Sequence, residues 1–281
     1  MKKVDALLYV EHFRLLSTEF EIRTNSRALI KRLSALSLRA EQDLPIVQRC
    51  TVTITWIDDE FRIRGDGFDD FELSVTGTLE TLLQGMQRRA LVPLADHIAL
   101  RAVTGQHQER SFLIVGSRNS GKSTLALRLL LGGLEVSGDE TALLCHGSAV
   151  AFPRRFLLRG ESLALMPKAS HLEGFAGMRD PRALRLAAVD PLDVGRPWRI
   201  SPAPVSTVVC LEPNYGLRTR LVRCGKVDMI RRVIPQCRPP ISARKDWVSD
   251  VAATVNQAGT FVIELGDLDS ALAEIKEVLL R

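Results

Sequence analysis

A glycine-rich segment at residues 116–124 constrains this chain more than any other feature of its sequence. The segment matches the pattern G-x-x-x-x-G-K-[ST] at every fixed position. Residues 111–115 before it are apolar enough for a short buried strand, and residues 125–131 after it favour a helix. A strand, this loop and a helix in that order are the context that the motif requires. The sequence therefore predicts a phosphate-binding loop.

Each residue type in the loop has a physical use there. Gly116 and Gly121 allow a backbone path that would strain a residue with a Cβ atom. The loop amides and the N-terminus of the following helix then point at the phosphates. Lys122 reaches the β- and γ-phosphates, and the Ser123 hydroxyl is the expected Mg²⁺ ligand. We expect the whole loop to bind nucleotide: Gly116, Ser117, Arg118, Asn119, Ser120, Gly121, Lys122, Ser123 and Thr124.

Two adjacent carboxylates follow the loop after a short interval. Asp139 stands only seventeen positions after Lys122, at the end of the next predicted strand, and Glu140 comes directly after it. An isolated acidic pair usually forms a turn or a helix cap. Beside a bound Mg-nucleotide, one carboxylate can hold the metal and the other can accept a proton from an incoming hydroxyl. The closeness to the loop favours this functional interpretation.

The composition argues against several other classes of protein. With 281 residues, of which 46% are hydrophobic and 25% charged, the chain is typical of a globular protein with a real core. The net charge is +5, but lysine and arginine form no long run, so we predict no nucleic-acid partner. The five cysteines form no C-x-x-C pair, which favours reduced thiols and a cytoplasmic location. Because no run of about 18 apolar residues occurs, we predict no membrane span.

The first 95 residues have a pattern of their own. Apolar residues at helical spacing predict a helix over 25–40 and another over 78–88. Alternation of apolar and polar residues predicts three strands, at 51–56, 61–64 and 68–75. Nothing in this segment points to chemistry. We predict a small α+β module at 1–95 that packs on the second domain or docks a partner.

The second domain, 96–281, alternates strands and helices around the loop. Apolar runs predict strands at 206–211 and 260–265. A helix is predicted over 269–280, with Asp269 as its N-cap. The alternation favours an α/β (α+β) fold for this domain.

The run that begins at His97 and contains the loop and the segment LEVSGDE (134–140) resembles the HPr serine kinase/phosphorylase family. It is also similar to HPr-kinase-related proteins of bacterial peptide and exopolysaccharide gene clusters. The resemblance covers about 97–281 and is strongest over 97–160, with further similar segments at 152–156 and 190–195. It implies a P-loop kinase core of the HPr kinase/phosphoenolpyruvate carboxykinase-like type, with a mixed, partly antiparallel sheet.

The resemblance also implies roles for individual residues. His97 matches a family histidine near the phosphates, and Asp139 and Glu140 match its paired acidic residues. Residues 159–163 match only in part the glycine-rich signature linked to phosphorylase activity, so a kinase alone is implied. Three arginines nearby are candidates for neutralising charge on the transferred phosphoryl group: Arg154, Arg155 and Arg159.

The leading hypothesis is a phosphotransferase that uses ATP and Mg²⁺, with His97, Lys122, Asp139 and Glu140 as its catalytic residues. Lys122 holds the β- and γ-phosphates, Ser123 and Asp139 hold Mg²⁺, and Glu140 or Asp139 deprotonates the acceptor hydroxyl. By the resemblance, that hydroxyl is a serine of a peptide or small protein, which the N-terminal module helps to dock. The resemblance further implies a PqqD-like chaperone as a partner and a homo-oligomer.

Two alternatives stay open at the level of sequence. The chain could be a nucleotide-dependent switch or assembly protein that transfers no phosphoryl group. It could also be a kinase of a small molecule, such as an amino acid or a sugar. The sequence itself does not give the acceptor or the nucleotide base.

Overall fold

The computed structural model describes residues 9–166 and 186–280 of this α+β chain, which divides into two compact units between Ala95 and Asp96. The strands of the first unit are β1 (Tyr9–Leu15), β2 (Thr18–Thr24), β3 (Glu41–Gln42), β4 (Gln48–Ile57), β5 (Glu60–Gly65) and β6 (Phe68–Glu72). Its helices are α1 (Arg27–Leu33) and α2 (Val75–Ala90), with 3₁₀ helices at Ser34–Leu36 and Val92–Leu94.

The first unit is built on a five-stranded sheet in the order β1-β2-β4-β5-β6. β2 and β4 are parallel, with α1 in the connection between them, and the other neighbours are antiparallel. Along β4 the buried residues alternate (Cys50, Val52 and Ile54), which is the pattern of a sheet with one covered face. α2 contacts β5 and β6 and contributes the buried Leu82 and Met86 to that face.

Two sequence predictions in this unit are corrected by the structure. The helix predicted over 25–40 is shorter: α1 starts after Ser26, whose side chain accepts a hydrogen bond from Leu29 N, and ends at Leu33. Beyond Leu33 the chain continues as a 3₁₀ turn, in which Ser37 N donates to Ser34 O at 3.1 Å. The strand predicted over 68–75 stops at Glu72, because Ser74 is the N-cap of α2.

The second unit begins at Asp96. Its strands are β7 (Ile98–His107), β8 (Arg110–Val115), β9 (Glu135–Gly138), β10 (Thr141–Cys145), β11 (Ser148–Ala151), β12 (Phe156–Arg159), β13 (Leu186–Val189), β14 (Arg199–Ile200), β15 (Ala203–Pro213), β16 (Arg220–Arg223), β17 (Cys237–Arg238) and β18 (Gly259–Leu265). Its helices are α3 (Lys122–Leu131), α4 (Gly160–Ala164), α5 (Lys226–Val233), α6 (Trp247–Gln257) and α7 (Leu268–Leu280), with 3₁₀ helices at Pro191–Val194 and Ile234–Gln236.

The main sheet of this unit is mixed, as the resemblance implies. Its strands follow the order β11-β10-β7-β8-β15-β18-β16, with β9 and β17 also paired to β7. β8, β15 and β18 are parallel to one another, whereas their outer neighbours are antiparallel. β11 also pairs with the start of β15, which closes a ring of five strands.

Helices cover both faces of the parallel strands. On one face, Leu113 and Val208 belong to a core that includes Met229 of α5 and Val251 of α6. On the other face lies a second core, formed by residues of β8, β15, α3 and α7: Phe112, Ile114, Leu125, Leu129, Val209, Leu211, Ala271 and Ile275. Strands that are buried on both faces read as continuous apolar runs, which is why the sequence indicated them.

The cap of the last helix differs from the prediction. Asp269 was expected to be the N-cap, but α7 starts at Leu268 and Asp267 accepts the hydrogen bond from Ser270 N at 2.8 Å. Asp269 instead forms an ion pair with Arg128 at 2.6 Å. Both aspartates lie within the same turn, and the sequence pattern alone does not separate them.

Candidate functional site

The glycine-rich loop joins the end of β8 to the start of α3. Gly121 has a φ of +95°, a left-handed conformation that strains residues with a side chain. A Cβ atom at Gly116 would lie 2.9 Å from Ser120 Oγ and 3.0 Å from Leu211 O. Asn119 also has a positive φ of 63°, which asparagine tolerates better than most residues. Both glycines of the motif are therefore required by the backbone path.

Lys122 is folded back onto the loop that precedes it. Its Nζ donates hydrogen bonds to Gly116 O at 2.9 Å and to Ser117 O at 2.7 Å, and the residue is only 8% exposed. Burial, helped by the positive charge of Arg101, lowers the Lys122 pKa to about 8. The negative charge of Asp139 opposes this shift, so Asp139 acts directly on the lysine.

Asp139 follows β9 and is buried, with 1% of its surface exposed. Neither carboxylate oxygen accepts a well-formed hydrogen bond from the residues that the structure describes. The nearest cation is Arg154, with its Nε 3.7 Å from Asp139 Oδ1. Burial raises the Asp139 pKa, and the opposing effects of Arg154 and the neighbouring Ser123 hydroxyl are smaller. A buried, unsatisfied carboxylate of this kind is costly and marks a place where a ligand completes its bonds.

Glu140 lies in a different environment from its neighbour. It is half-buried and forms an ion pair with Arg154. Its backbone carbonyl accepts a hydrogen bond from Ala102 N at 3.0 Å, which ties the acidic pair to β7. The structure thus brings both predicted carboxylates to the loop but places only Asp139 in the interior.

One cleft of about 1420 Å³ connects these groups. Its wall includes the loop residues Arg118, Asn119 and Gly121–Thr124, together with Asp139 and Glu140. Three other loop residues of the prediction do not line the cleft: Gly116, Ser117 and Ser120. Among the described residues, seven cationic side chains line the cleft: Arg101, Arg118, Lys122, Arg128, Arg154, Arg159 and Arg238. Five carboxylates from the same part of the chain line it as well: Asp139, Glu140, Glu161, Asp267 and Asp269.

Two residues that the sequence singled out lie elsewhere. His97 precedes the first residue of β7 and does not line the cleft. It lies four positions before Arg101, a distance of roughly 13 Å along an extended strand. Arg155 is also directed away, because its Nε lies 3.9 Å from the fully buried carboxylate of Asp190. Of the three candidate arginines, only Arg154 and Arg159 reach the cleft.

Sequence reasoning missed several residues of the cleft wall. Arg101 lies inside the apolar run of β7, and a single arginine in such a run is a signal that could have revealed it. The Tyr215 hydroxyl donates to Ser120 O at 3.2 Å, beside Gly121. Thr124 Oγ1 donates to Ser162 Oγ at 3.0 Å, which links α3 to α4. No local pattern connects Tyr215 or Ser162 to the loop, because the contacts span 95 and 38 positions of sequence.

The described residues contain no cluster of three or more His, Cys, Asp or Glu side chains suited to bind a metal by themselves. A nucleotide-bound Mg²⁺ does not need one, since it takes one or two protein ligands, phosphate oxygens and water. Ser123 and the unsatisfied oxygens of Asp139 are oxygen donors of the type that Mg²⁺ prefers. These two residues fit the metal that the loop predicts.

Comparison of the sequence with protein-family models and with curated proteins found no match. Among the helices that the structure describes, none is long and apolar enough to cross a membrane. A functional assignment therefore depends on the geometry of the cleft and on the motif that forms it.

Proposed function

We propose that this chain is an ATP- and Mg²⁺-dependent kinase that transfers the γ-phosphoryl group to a hydroxyl, that of a serine in a peptide or small protein. The observation that carries the proposal is the position of Asp139. A buried carboxylate that accepts no well-formed hydrogen bond from the described residues lies beside Lys122 and Ser123 of a phosphate-binding loop. A protein that binds nucleotide without transferring a phosphoryl group has less need of a buried carboxylate at this position.

The loop and the start of α3 bind the phosphates. Their amides and the helix dipole complement negative charge, and the Lys122 ammonium adds a full positive charge at the β- and γ-phosphates. Lys122 exchanges its hydrogen bonds to Gly116 O and Ser117 O for phosphate oxygens. Because the ammonium already lies within the loop, little reorganisation is needed.

Ser123 and Asp139 would hold the Mg²⁺ ion of the nucleotide. When bound, the ion neutralises charge on the phosphate oxygens and so favours attack by a nucleophile. As the acceptor oxygen bonds to the γ-phosphorus, the bond from that phosphorus to ADP breaks, and the second oxygen of Asp139 accepts the proton of the hydroxyl.

Glu140 and the arginines of the cleft complete the site. The ion pair with Glu140 holds Arg154 next to Asp139, where the guanidinium can stabilise charge on the transferred group. Arg159 Nη2 donates to Asn119 Oδ1 at 3.3 Å and so lies at the outer side of the loop. We assign Glu140 to positioning Arg154 and proton acceptance to Asp139.

The architecture supports the same proposal. The three parallel strands β8, β15 and β18 carry the loop, and antiparallel strands flank them on both sides. We propose that this is the P-loop kinase core of the HPr kinase/phosphoenolpyruvate carboxykinase-like type. A doubly wound P-loop fold would instead have a sheet of mostly parallel strands.

A transfer assay with host lysate tests the proposal. The full chain is incubated with MgATP labelled at the γ-phosphate, and labelled species are identified by mass spectrometry. We expect a labelled serine in a peptide or small protein. Lys122→Ala should abolish nucleotide binding, whereas Asp139→Asn should keep binding and stop transfer.

Matched controls are available away from the cleft. Lys245 and Asp228 are exposed and do not line it, so Lys245→Ala and Asp228→Asn should behave like the wild type. Full transfer by the Asp139→Asn variant would contradict the assignment of Asp139. Nucleotide hydrolysis without any labelled acceptor would instead favour a nucleotide-dependent switch.

A further inference from the structure

Among the arginines of the cleft, Arg101 and Arg238 lie on strands of the sheet and have no part in the chemistry proposed above. Arg101 lies on β7 and Arg238 on β17, and both line the cleft. Arg101 is half-buried and Arg238 is exposed. Among the residues that the structure describes, neither guanidinium has a carboxylate at ion-pair distance. The other cations near the acidic pair are engaged, since Arg154 pairs with Glu140 and Lys122 bonds to the loop.

The strand register brings these two arginines to one face of the sheet. Arg238 is opposite Ala99, and Arg101 is two residues further along β7. Side chains alternate along a strand, so both positions share a face. That face is the one that α3 covers, because Val103 belongs to the same core as Leu125 and Leu129 of α3. The two guanidiniums therefore flank the cleft on the side where the loop leaves β8.

Arg101 is also adjacent to the reacting groups. Its register partner on β10 is Thr141, the residue that follows Glu140. The next residue, Ala102, pairs with Val115 at the start of the loop and donates its N–H to Glu140 O. A molecule that presents a hydroxyl to Asp139 thus meets Arg101 within the same part of the cleft.

The charge around this position is unbalanced. Among the described residues of the cleft wall, seven side chains are cationic and five are carboxylates, so like charges repel one another there. The loop amides and Lys122 suffice for the β- and γ-phosphates. A further anion beside Asp139 would offset the repulsion, and a guanidinium binds a carboxylate through two parallel hydrogen bonds.

We infer that Arg101 and Arg238 bind a carboxylate of the acceptor, close to the hydroxyl that receives the phosphoryl group. The inference rests on the proposed kinase function and specifies the acceptor as an acidic one. In a peptide, the carboxylate belongs to an aspartate or glutamate near the serine. Arg101 and Arg238 are in this view specificity residues, whereas Asp139 acts on the hydroxyl itself.

Peptide pools with a central serine test this chemistry. One pool draws its flanking residues from Asp, Glu and Ala, and the other from Asn, Gln and Ala. Free L-serine is the third substrate, because its own carboxylate lies next to its hydroxyl. Initial rates of transfer from labelled MgATP are measured with the full chain, and peptide binding is measured separately by calorimetry with a non-hydrolysable ATP analogue.

The double variant Arg101→Gln/Arg238→Gln is compared with Arg220→Gln/Arg223→Gln. The second pair removes the same charge from β16, and neither of its residues lines the cleft. We expect the wild type to prefer the acidic pool by roughly ten-fold or more, the effect of one charge-assisted hydrogen bond. The cleft variant should lose this preference through a higher KM for peptide, with KM for MgATP unchanged, whereas the β16 variant should keep it.

Other outcomes separate this inference from the kinase proposal. Equal labelling of both pools would overturn the inference but would still agree with a kinase. A cleft variant that raises only the KM for MgATP would do the same. Labelling of free serine that disappears in the cleft variant would support the carboxylate site with a small acceptor. Arginine-dependent binding of the acidic pool without transfer to any substrate would support the site and contradict the kinase. Failure of both binding and transfer would contradict both.

Discussion

Replacement of Asp139 by asparagine is expected to stabilise the protein while it stops phosphoryl transfer. The wild-type carboxylate is buried and accepts no well-formed hydrogen bond within the described residues. Its raised pKa indicates that burial destabilises the charged carboxylate more than Arg154, Ser123 and Lys122 stabilise it. A buried polar group without partners costs about 1–3 kcal/mol, and a neutral side chain of the same shape removes most of the charge penalty. This gain should raise Tm by roughly 2–4 °C per kcal/mol.

The effect should depend on pH with a definite sign. The Asp139 pKa in the folded state lies above its ordinary value of 3.8, so between these two values the folded state binds more protons than the unfolded one. Stability of the wild type therefore falls as pH rises through this window. Asparagine does not titrate there. The stability difference between variant and wild type should be largest at neutral pH and shrink as pH falls towards 4.

Thermal denaturation between pH 4.5 and 8, at about half-unit steps, measures this difference. Asp228→Asn is the matched control, because its carboxylate is 66% exposed and should change Tm little. A lower Tm for Asp139→Asn at neutral pH would refute the reasoning that burial dominates at this residue. A difference that stayed constant over the whole pH range would show that the charge of Asp139 is not its cause.

Three further predictions follow from the structure. Since the Lys122 pKa is about 8, affinity for MgATP should fall about ten-fold per pH unit above that value, which calorimetry at pH 7–9.5 checks; a flat profile would contradict it. Gly121→Ala should cost roughly 1–2 kcal/mol in urea denaturation because φ is +95°. Adding Tyr215→Phe should recover only part of this loss, since it removes the contact at 2.9 Å but not the backbone strain; full recovery would refute the strain. Phe156→Ala should cost about 3–5 kcal/mol by the same method, because the ring is fully buried; a loss under 1 kcal/mol would contradict this.

The sequence was sufficient to predict those parts of the site whose pattern lies within a short segment. The loop at 116–124 is a short segment whose glycines, lysine and serine each have a fixed purpose, and its flanking strand and helix are continuous apolar runs. The structure places β8 and α3 at these positions. The acidic pair was found for the same reason, because only one helix and one strand separate it from the loop.

The sequence was insufficient to identify site residues whose position depends on the register between strands. His97 was chosen by resemblance, yet Arg101 is the residue of β7 that lines the cleft. Which residues of a strand stand beside the loop depends on its partners, and Ala102 is opposite Val115 only because of pairing across the sheet. Asp267 replaces Asp269 as the cap of α7 for a similar reason, since Thr219 also bonds Asp267 over 48 positions of sequence.

β7 pairs with four other strands, β8, β9, β10 and β17, and this has an evolutionary consequence. Loss or gain of one residue just before Arg101 would exchange the two faces of the strand and turn the arginine towards the core that contains Leu100 and Ala102. With Arg101 and Arg238 in the specificity role proposed above, acceptor preference would diverge among descendants of this chain by replacement at positions 101 and 238, but not by a change in the length of β7. The turn at 214–218 is constrained as well, because its Tyr215 lines the cleft and donates to Ser120 O.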